Sequence, residues 1–251
     1  MTIGWRLAQI FRHPIKAHGR EALGHVTLTQ GRCLPFDRHW AVAHEAAALM
    51  PGWNPCMNFI RGAKTPSLQA INAQFDAARH QITLTHPDRE PVTFDPDTPE
   101  GRAEFLAWVA PLMEGERAQP ARLVSAGRGM TDTEFESVSL LNLASNRALG
   151  QRLGLDLGLD RWRGNIWIEG LAPWEEFDLL GREICIGGAT LKICERIERC
   201  RATMVDCTTG RIDVNTLDAL EEAYGHTEFG VYAIVTQGGE IARGDHVEIV
   251  A

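Results

Sequence analysis

Apolar residues in this chain recur mostly at every second position, the mark of half-buried strands. The alternation predicts strands over Trp5 to Phe11, Val26 to Leu28, Trp40 to Val42, Gln81 to Thr85 and Arg122 to Ser125. Further strands are predicted at Ile166 to Ile168, over Phe229 to Val235 and up to Val250, and short ones over Leu68-Ala70-Asn72 and Ala202 to Val205. Glu183 to Ile186 and Ala189 to Ile193 flank Gly187-Gly188, the signature of a hairpin. Helical spacing is confined to three stretches. Thr98 to Met113 carries a one-sided face of Phe105, Leu106, Val109, Leu112 and Met113, with Thr98 as cap and Pro99 in the first turn. A second helix runs from the Ala144–Arg147 region to Leu153, with Ser145 as cap and Gly154 as stop. A third runs from Asn215 to Tyr224 and ends at Gly225. The pattern describes a β-rich α+β protein with a few peripheral helices. The polar stretch from Glu114 to Gln119, closed by Pro120, reads as a boundary between domains at 1–118 and 119–251.

Charge and composition narrow the classes of partner. A formal net charge of −8 argues against nucleic acid, whose phosphates require a basic face. It leaves room for a small anion held by a few local arginines. No run of about 18 apolar residues is present, so no membrane-spanning helix is expected. Met1 to Ile15 lacks the continuous apolar core of a signal peptide. The six cysteines, at 33, 56, 185, 194, 200 and 207, form no Cys-x-x-Cys pair. Neither a zinc site nor a disulfide framework is suggested, and a reducing cytoplasm is the expected compartment. Cys33, Cys56, Cys185 and Cys194 read as packing residues.

Candidate chemistry concentrates at Arg199-Cys200-Arg201. Two flanking guanidinium groups favour a thiolate, the nucleophilic form and the one that binds soft metals. The alternative is a small buried residue, the commoner fate of a free cysteine. Asp206 to Gly210 reads as a turn. Within it, Cys207 is either a packing residue or a resolving thiol for Cys200. Lys16, after the His13-Pro14-Ile15 connection, is either a solvated lysine or a cation facing a ligand. Arg38 either pairs with Asp37 or faces the same ligand. Asn165 is a turn or strand-end residue, or an amide offered to a ligand edge.

Arg-Cys, a short alternating run and a Val-Asp-x-x-Thr-Gly turn together resemble the signature of the MOSC family, named after the C-terminal domain of molybdenum cofactor sulfurase. His13-Pro14-Ile15-Lys16 resembles the opening of the family's N-terminal β-barrel domain, with Ala17 where serine is usual. Asp37-Arg38-His39-Trp40-Ala41-Val42 resembles its Asp-Arg-x-Trp-x-Val motif. Trp162-Arg163-Gly164-Asn165-Ile166 resembles Phe-Arg-Pro-Asn-Ile, and Ile241 to Asp245 resembles the closing Ile-x-x-Gly-Asp.

The resemblance implies a MOSC-type β-barrel with an N-terminal barrel-like domain and a molybdenum–molybdopterin cofactor between them. By position it implies Cys200 as the molybdenum ligand and catalytic centre. Lys16, Arg38, Asn142, Ser145, Arg163 and Asn165 are implied as cofactor-binding residues. It further implies an oxidoreductase acting on N-hydroxylated small molecules, as in the amidoxime-reducing branch of the family. No fused set of cluster cysteines is expected after the last strand, and an external electron donor of ferredoxin, flavodoxin or cytochrome type is expected instead. No pyridoxal-dependent desulfurase domain is expected before the first. A non-enzymatic carrier of the cofactor, or of sulfur as a Cys200 persulfide, is the second expectation. A barrel that has lost its cofactor is the third.

Overall fold

A computed structural model describes residues 4–113 and 118–250. Most of the boundary stretch read from the sequence, 114–117, lies outside the described residues. The main element is an eight-stranded sheet. Its order is Val247–Ile249, Glu183–Ile186, Ala189–Glu198, Glu228–Gln237, Val138–Asn142, Ile166–Glu169, Arg6–Arg12, Glu21–Leu23. Neighbours are antiparallel except Val138–Asn142 against Ile166–Glu169. The sheet curls until its ends meet. Leu7 N–H donates to Asp245 C=O (2.9 Å), Gly244 N–H to Leu7 C=O (2.7 Å) and Val247 N–H to Trp5 C=O (2.9 Å). Closure into a barrel removes most of the exposed edge.

Leu7 and Ile10 both face the barrel interior although they lie three positions apart. A register shift between Leu7 and Gln9 accounts for this: the bulge reverses the phase of the alternation. Leu7, Ile10, Leu140, Ile166, Leu191 and Val231 belong to this interior cluster. Leu141, Trp167 and Phe229 point the other way, in a second cluster with Leu149 of α2 (Leu143–Leu153) and Leu220 of α3 (Thr216–Tyr224). The first helix, α1 (Pro99–Val109), packs with Phe105 on a third cluster around Ile15, Trp40, Leu68 and Ile82. Thr98 caps it as expected, its Oγ1 accepting from Gly101 N–H at 3.1 Å.

Strand pairings cross residue 118 three times. Arg6–Arg12 joins Ile166–Glu169, His25–Leu28 joins Gly239–Ala242, and Trp40–His44 joins Pro120–Ser125. The N-terminal strand is thus a stave of the barrel formed by the C-terminal half. These exchanges press the two halves together and create the cleft described next.

Two sequence expectations need correction. Arg201–Met204 is a 3-10 helix, and only Val205–Asp206 is extended. Thr203 explains it: its N–H and its Oγ1 both donate to Cys200 C=O (3.1 Å each), closing a tight turn that a strand forbids. Pro66–Ala70 is likewise a 3-10 helix, with the strand starting only at Asn72.

Candidate functional site

At the seam between the halves lies a cavity of about 290 Å³. Lys16, Arg38, Cys56, Arg61 and Gln69 line it from the N-terminal half. Asp132, Arg161, Trp162, Arg163, Arg199, Cys200 and Tyr232 line it from the other. The structure therefore brings together four of the residues selected from the sequence: Lys16, Arg38, Arg163 and Cys200.

Each is positioned by backbone contacts between distant segments. Lys16 N–H donates to Trp40 C=O at 2.8 Å, and its Nζ reaches Met130 C=O (2.8 Å) and Asp132 Oδ1 (2.6 Å). Arg38 N–H donates to His13 C=O at 2.6 Å. Its guanidinium pairs with Asp37 and donates from Nη2 to Arg163 C=O at 2.7 Å. Asp37 is also held by His13, from N–H (2.8 Å) and Nδ1 (3.1 Å). Burial pushes the Asp37 carboxyl up, but Arg38 and the His13 bonds outweigh it and hold the group below the usual carboxylate range. Both readings of Arg38 thus hold at once: it is paired, and it faces the cavity. Ala17, Arg38 and Arg163 all adopt positive φ, at 66°, 51° and 49°. They are three of the six non-glycine residues that do so among the described residues, and all three line the cavity. Backbone strain of this kind gathers at functional sites.

Arg163 is the electrostatic centre. It follows the 3-10 helix Leu159–Trp162, and Trp162 fixes it from behind by stacking on Phe229, ring centres 3.8 Å apart. Its Nη1 donates to Gly19 C=O at 3.3 Å, while its Nη2 is buried without a partner. Burial, aided by Arg38, pushes its pKa down to about 9. A buried donor atom without a partner is costly, and an anionic ligand at Nη2 would relieve that cost. Arg161, which the sequence reading passed over, lies beside it. It grips Asp213 through Nη1 (3.1 Å) and Nη2 (2.9 Å), and its Nε is buried without a partner. Six basic residues line the cavity against two acidic ones, in a chain of net charge −8.

Cys200 is exposed at the N-terminus of the Arg201–Met204 turn. It is not the small buried residue of the alternative reading. The expected clamp by two arginines is absent in part: Arg199 donates to Phe229 C=O and Trp162 C=O, holding the strand end against the aromatic stack. Cys207 is buried, and burial pushes its thiol up to about 11, which disfavours attack on or by Cys200. Cys56, expected to be a packing residue, is exposed and lines the cavity, with Arg61 Nη1 4.0 Å from its Sγ. Cys185 is exposed as well, away from the cavity.

The remaining three selected residues do not line it. Asn142 caps α2, its Oδ1 accepting from Ala144 N–H at 2.8 Å. Its Nδ2 donates to Ala172 C=O (2.7 Å) and Glu176 Oε2 (2.8 Å). Ser145 is no cap: it donates to Glu176 Oε2 and accepts from Trp174 N–H, both at 2.8 Å. Both side chains are fully buried and occupied with the carboxylate of Glu176. Asn165 sits behind the cavity wall. Its Oδ1 accepts from Ser139 N–H (3.2 Å) and Oγ (2.9 Å), and its Nδ2 donates to Phe11 C=O (3.2 Å). Its amide ties three strands together and offers nothing to a ligand in the main cavity.

Fold and site together define a closed β-barrel protein with a basic interdomain cleft and a thiol at its rim. The chain belongs to the MOSC family: the family model of the MOSC N-terminal beta barrel domain matches residues 4–118, and that of the MOSC domain matches residues 130–248. Among curated proteins it is similar to the molybdenum cofactor sulfurase of Anopheles gambiae, 27% identical over 133 residues. That match covers 48% of this chain and 17% of the relative, so the chain corresponds to a small part of that protein. Among solved structures it is similar to YuaD of Bacillus subtilis (TM-score 0.48, 12% identity, 98% of this chain and 96% of that one). It is also similar to YiiM of Geobacillus stearothermophilus (TM-score 0.36, 18% identity, 45% and 54% covered).

Proposed function

We propose that this protein holds a molybdenum–molybdopterin cofactor in the cleft and acts as an oxidoreductase that reduces N-hydroxylated compounds. The observation that carries the reading is Arg163: a half-buried cation whose Nη2 is buried without a partner, in the same cavity as the exposed Cys200. The donor set fits the group. Arg163 and Arg161 would hold the phosphate of the pterin, since guanidinium groups match phosphate oxygens. Cys200 would provide the soft thiolate ligand. Bound, the cofactor supplies the two-electron centre that takes oxygen from nitrogen. Tyr232 borders the same space. Burial pushes its hydroxyl up to about 12, so at neutral pH Oη keeps its proton and can donate to a substrate oxygen. The Lys16–Asp132 pair and Trp162 form part of the wall.

Electrons would come from an external donor of ferredoxin, flavodoxin or cytochrome type. Among the described residues no helix is long and apolar enough to cross a membrane. The reading places the protein in the cytoplasm, where exposed thiols such as Cys200 and Cys56 stay reduced. The acidic net charge weighs against nucleic acid as a partner.

Protein made in cofactor-producing cells should reduce a hydroxylamine-type base with an artificial electron donor. Cys200→Ala should lower kcat at least a hundredfold while the melting curve stays the same. Full activity in Cys200→Ala would overturn the assignment of the metal ligand. The similarity to a sulfurase favours one second reading, a carrier of sulfur as a Cys200 persulfide. It predicts a mass gain of one sulfur atom on Cys200 and no turnover.

A further inference from the structure

Three residues lining the cavity keep a buried polar atom without a partner, and they differ in kind. Arg161 Nε and Arg163 Nη2 are donors. Gln69 Oε1 is an acceptor. A phosphate monoester in its dianionic form offers acceptors only. It would satisfy the two guanidinium groups and leave Gln69 Oε1 stranded, at a cost of about 1–3 kcal/mol for a buried group.

The orientation of the Gln69 amide follows from its surroundings. The side chain, 1% exposed, comes from the 3-10 helix Pro66–Ala70 of the N-terminal half. Its Nε2 donates to Ala202 C=O at 3.3 Å, two residues beyond Cys200. Reversing the amide would set Oε1 against that carbonyl oxygen, so Oε1 is the free end. Gly62 closes the other side. A Cβ there would stand 2.8 Å from Gln69 Nε2, and the lack of one leaves room for the amide.

We propose that Gln69 is a specificity residue that accepts a hydrogen bond from an N–H edge of the ligand. The ligand is then an anion joined to a heterocycle bearing ring or exocyclic N–H groups. This rests on the cofactor reading above and deepens it. The N-terminal half recognises the heterocycle and the C-terminal half the phosphate. Because Gln69 also holds Ala202, ligand recognition by one half is linked to the position of Cys200 on the other.

The test compares two probes on wild type, Gln69→Met and Gly62→Ala. The first probe is the pterin retained by protein from cofactor-producing cells, measured by fluorescence after oxidation. The second is the rise in melting temperature that inorganic phosphate gives to protein from cells that cannot make the cofactor. Gln69→Met keeps the volume and removes the acceptor. It should retain about tenfold less pterin, the equivalent of one lost buried hydrogen bond, and keep the phosphate response of wild type. Gly62→Ala keeps both amide atoms and displaces them, and should show the same selective loss if Gln69→Met does not fold. Wild-type pterin content in either folded variant overturns the role of Gln69 and leaves the cofactor reading standing. Wild type without pterin overturns both.

Discussion

Arg163 shows how a single residue can be expensive to the fold and still be kept. Its side chain is half-buried with Nη2 unpartnered, its backbone is left-handed, and its neighbour across the cleft is another arginine. Two buried histidines near Arg163 are depressed as well. Burial, with Arg163 adding to it, pushes His13 down to about 3 and His18 down to about 4. Between pH 6.5 and 4 the unfolded chain therefore binds more protons than the folded one. The stability due to these neutral rings is complete above pH 6.5 and is lost as the pH falls toward 4. The loss is on the order of 2 kcal/mol per ring at pH 5. Urea unfolding at pH 7 and pH 5 should show it as a lower midpoint at pH 5, and His18→Gln should shrink the difference. An unchanged difference in His18→Gln would remove that ring from the account. At this scale the sequence was readable where a motif names a residue, as for Lys16, Arg38 and Arg163. It was silent for Gln69, Arg161 and Cys56, which reach the cavity only because separate loops meet there.

Short elements decide which atoms face the cleft. The start of α2 is the clearest case. Ser145 has the chemistry of a cap, but Asn142 takes that role and the helix begins at Leu143. Both side chains then converge on Glu176, whose carboxyl is raised by burial. Asn142→Ala should destabilise the protein by about 1–3 kcal/mol through the lost cap and the exposed partner atoms. Pterin per folded molecule should stay at the wild-type level; a selective loss of pterin would return Asn142 to the site. Gly164 is a second case. A Cβ there would lie 2.1 Å from Leu141 Cδ1, so the leucine occupies the space that a larger residue at 164 needs. Gly164→Ala should cost about 1–3 kcal/mol by overpacking, and Leu141→Ala in the same chain should restore part of it. Additive losses in the double variant would contradict this packing. Strand alternation was legible because the barrel has a single interior. The turn at Cys200 was not, because four alternating residues fit a strand and a 3-10 turn equally well until Thr203 bonds back to Cys200.

Across the whole molecule, strand exchange is what makes the site. The N-terminal strand closes the barrel of the C-terminal half, and the connection after it delivers Lys16. Outside the eight-stranded sheet, Gly239–Ala242 of the C-terminal half pairs in turn with His25–Leu28 of the N-terminal half. Periodicity revealed the strands, and the family motifs revealed the barrel. Neither contains the partner of each strand, which is a long-range property. The resulting cleft concentrates positive charge inside an acidic protein, and such a field draws small anions while repelling polyanions. The central claim is that Arg163 waits there for the phosphate of a pterin. The direct measurement is the molybdenum and pterin content of wild type and Arg163→Gln, purified side by side from cofactor-producing cells. The account predicts both in the wild type, and a loss of about tenfold or more in the variant, as expected for one charge-assisted bond. Equal contents in the two proteins, or a wild type with neither, would contradict it.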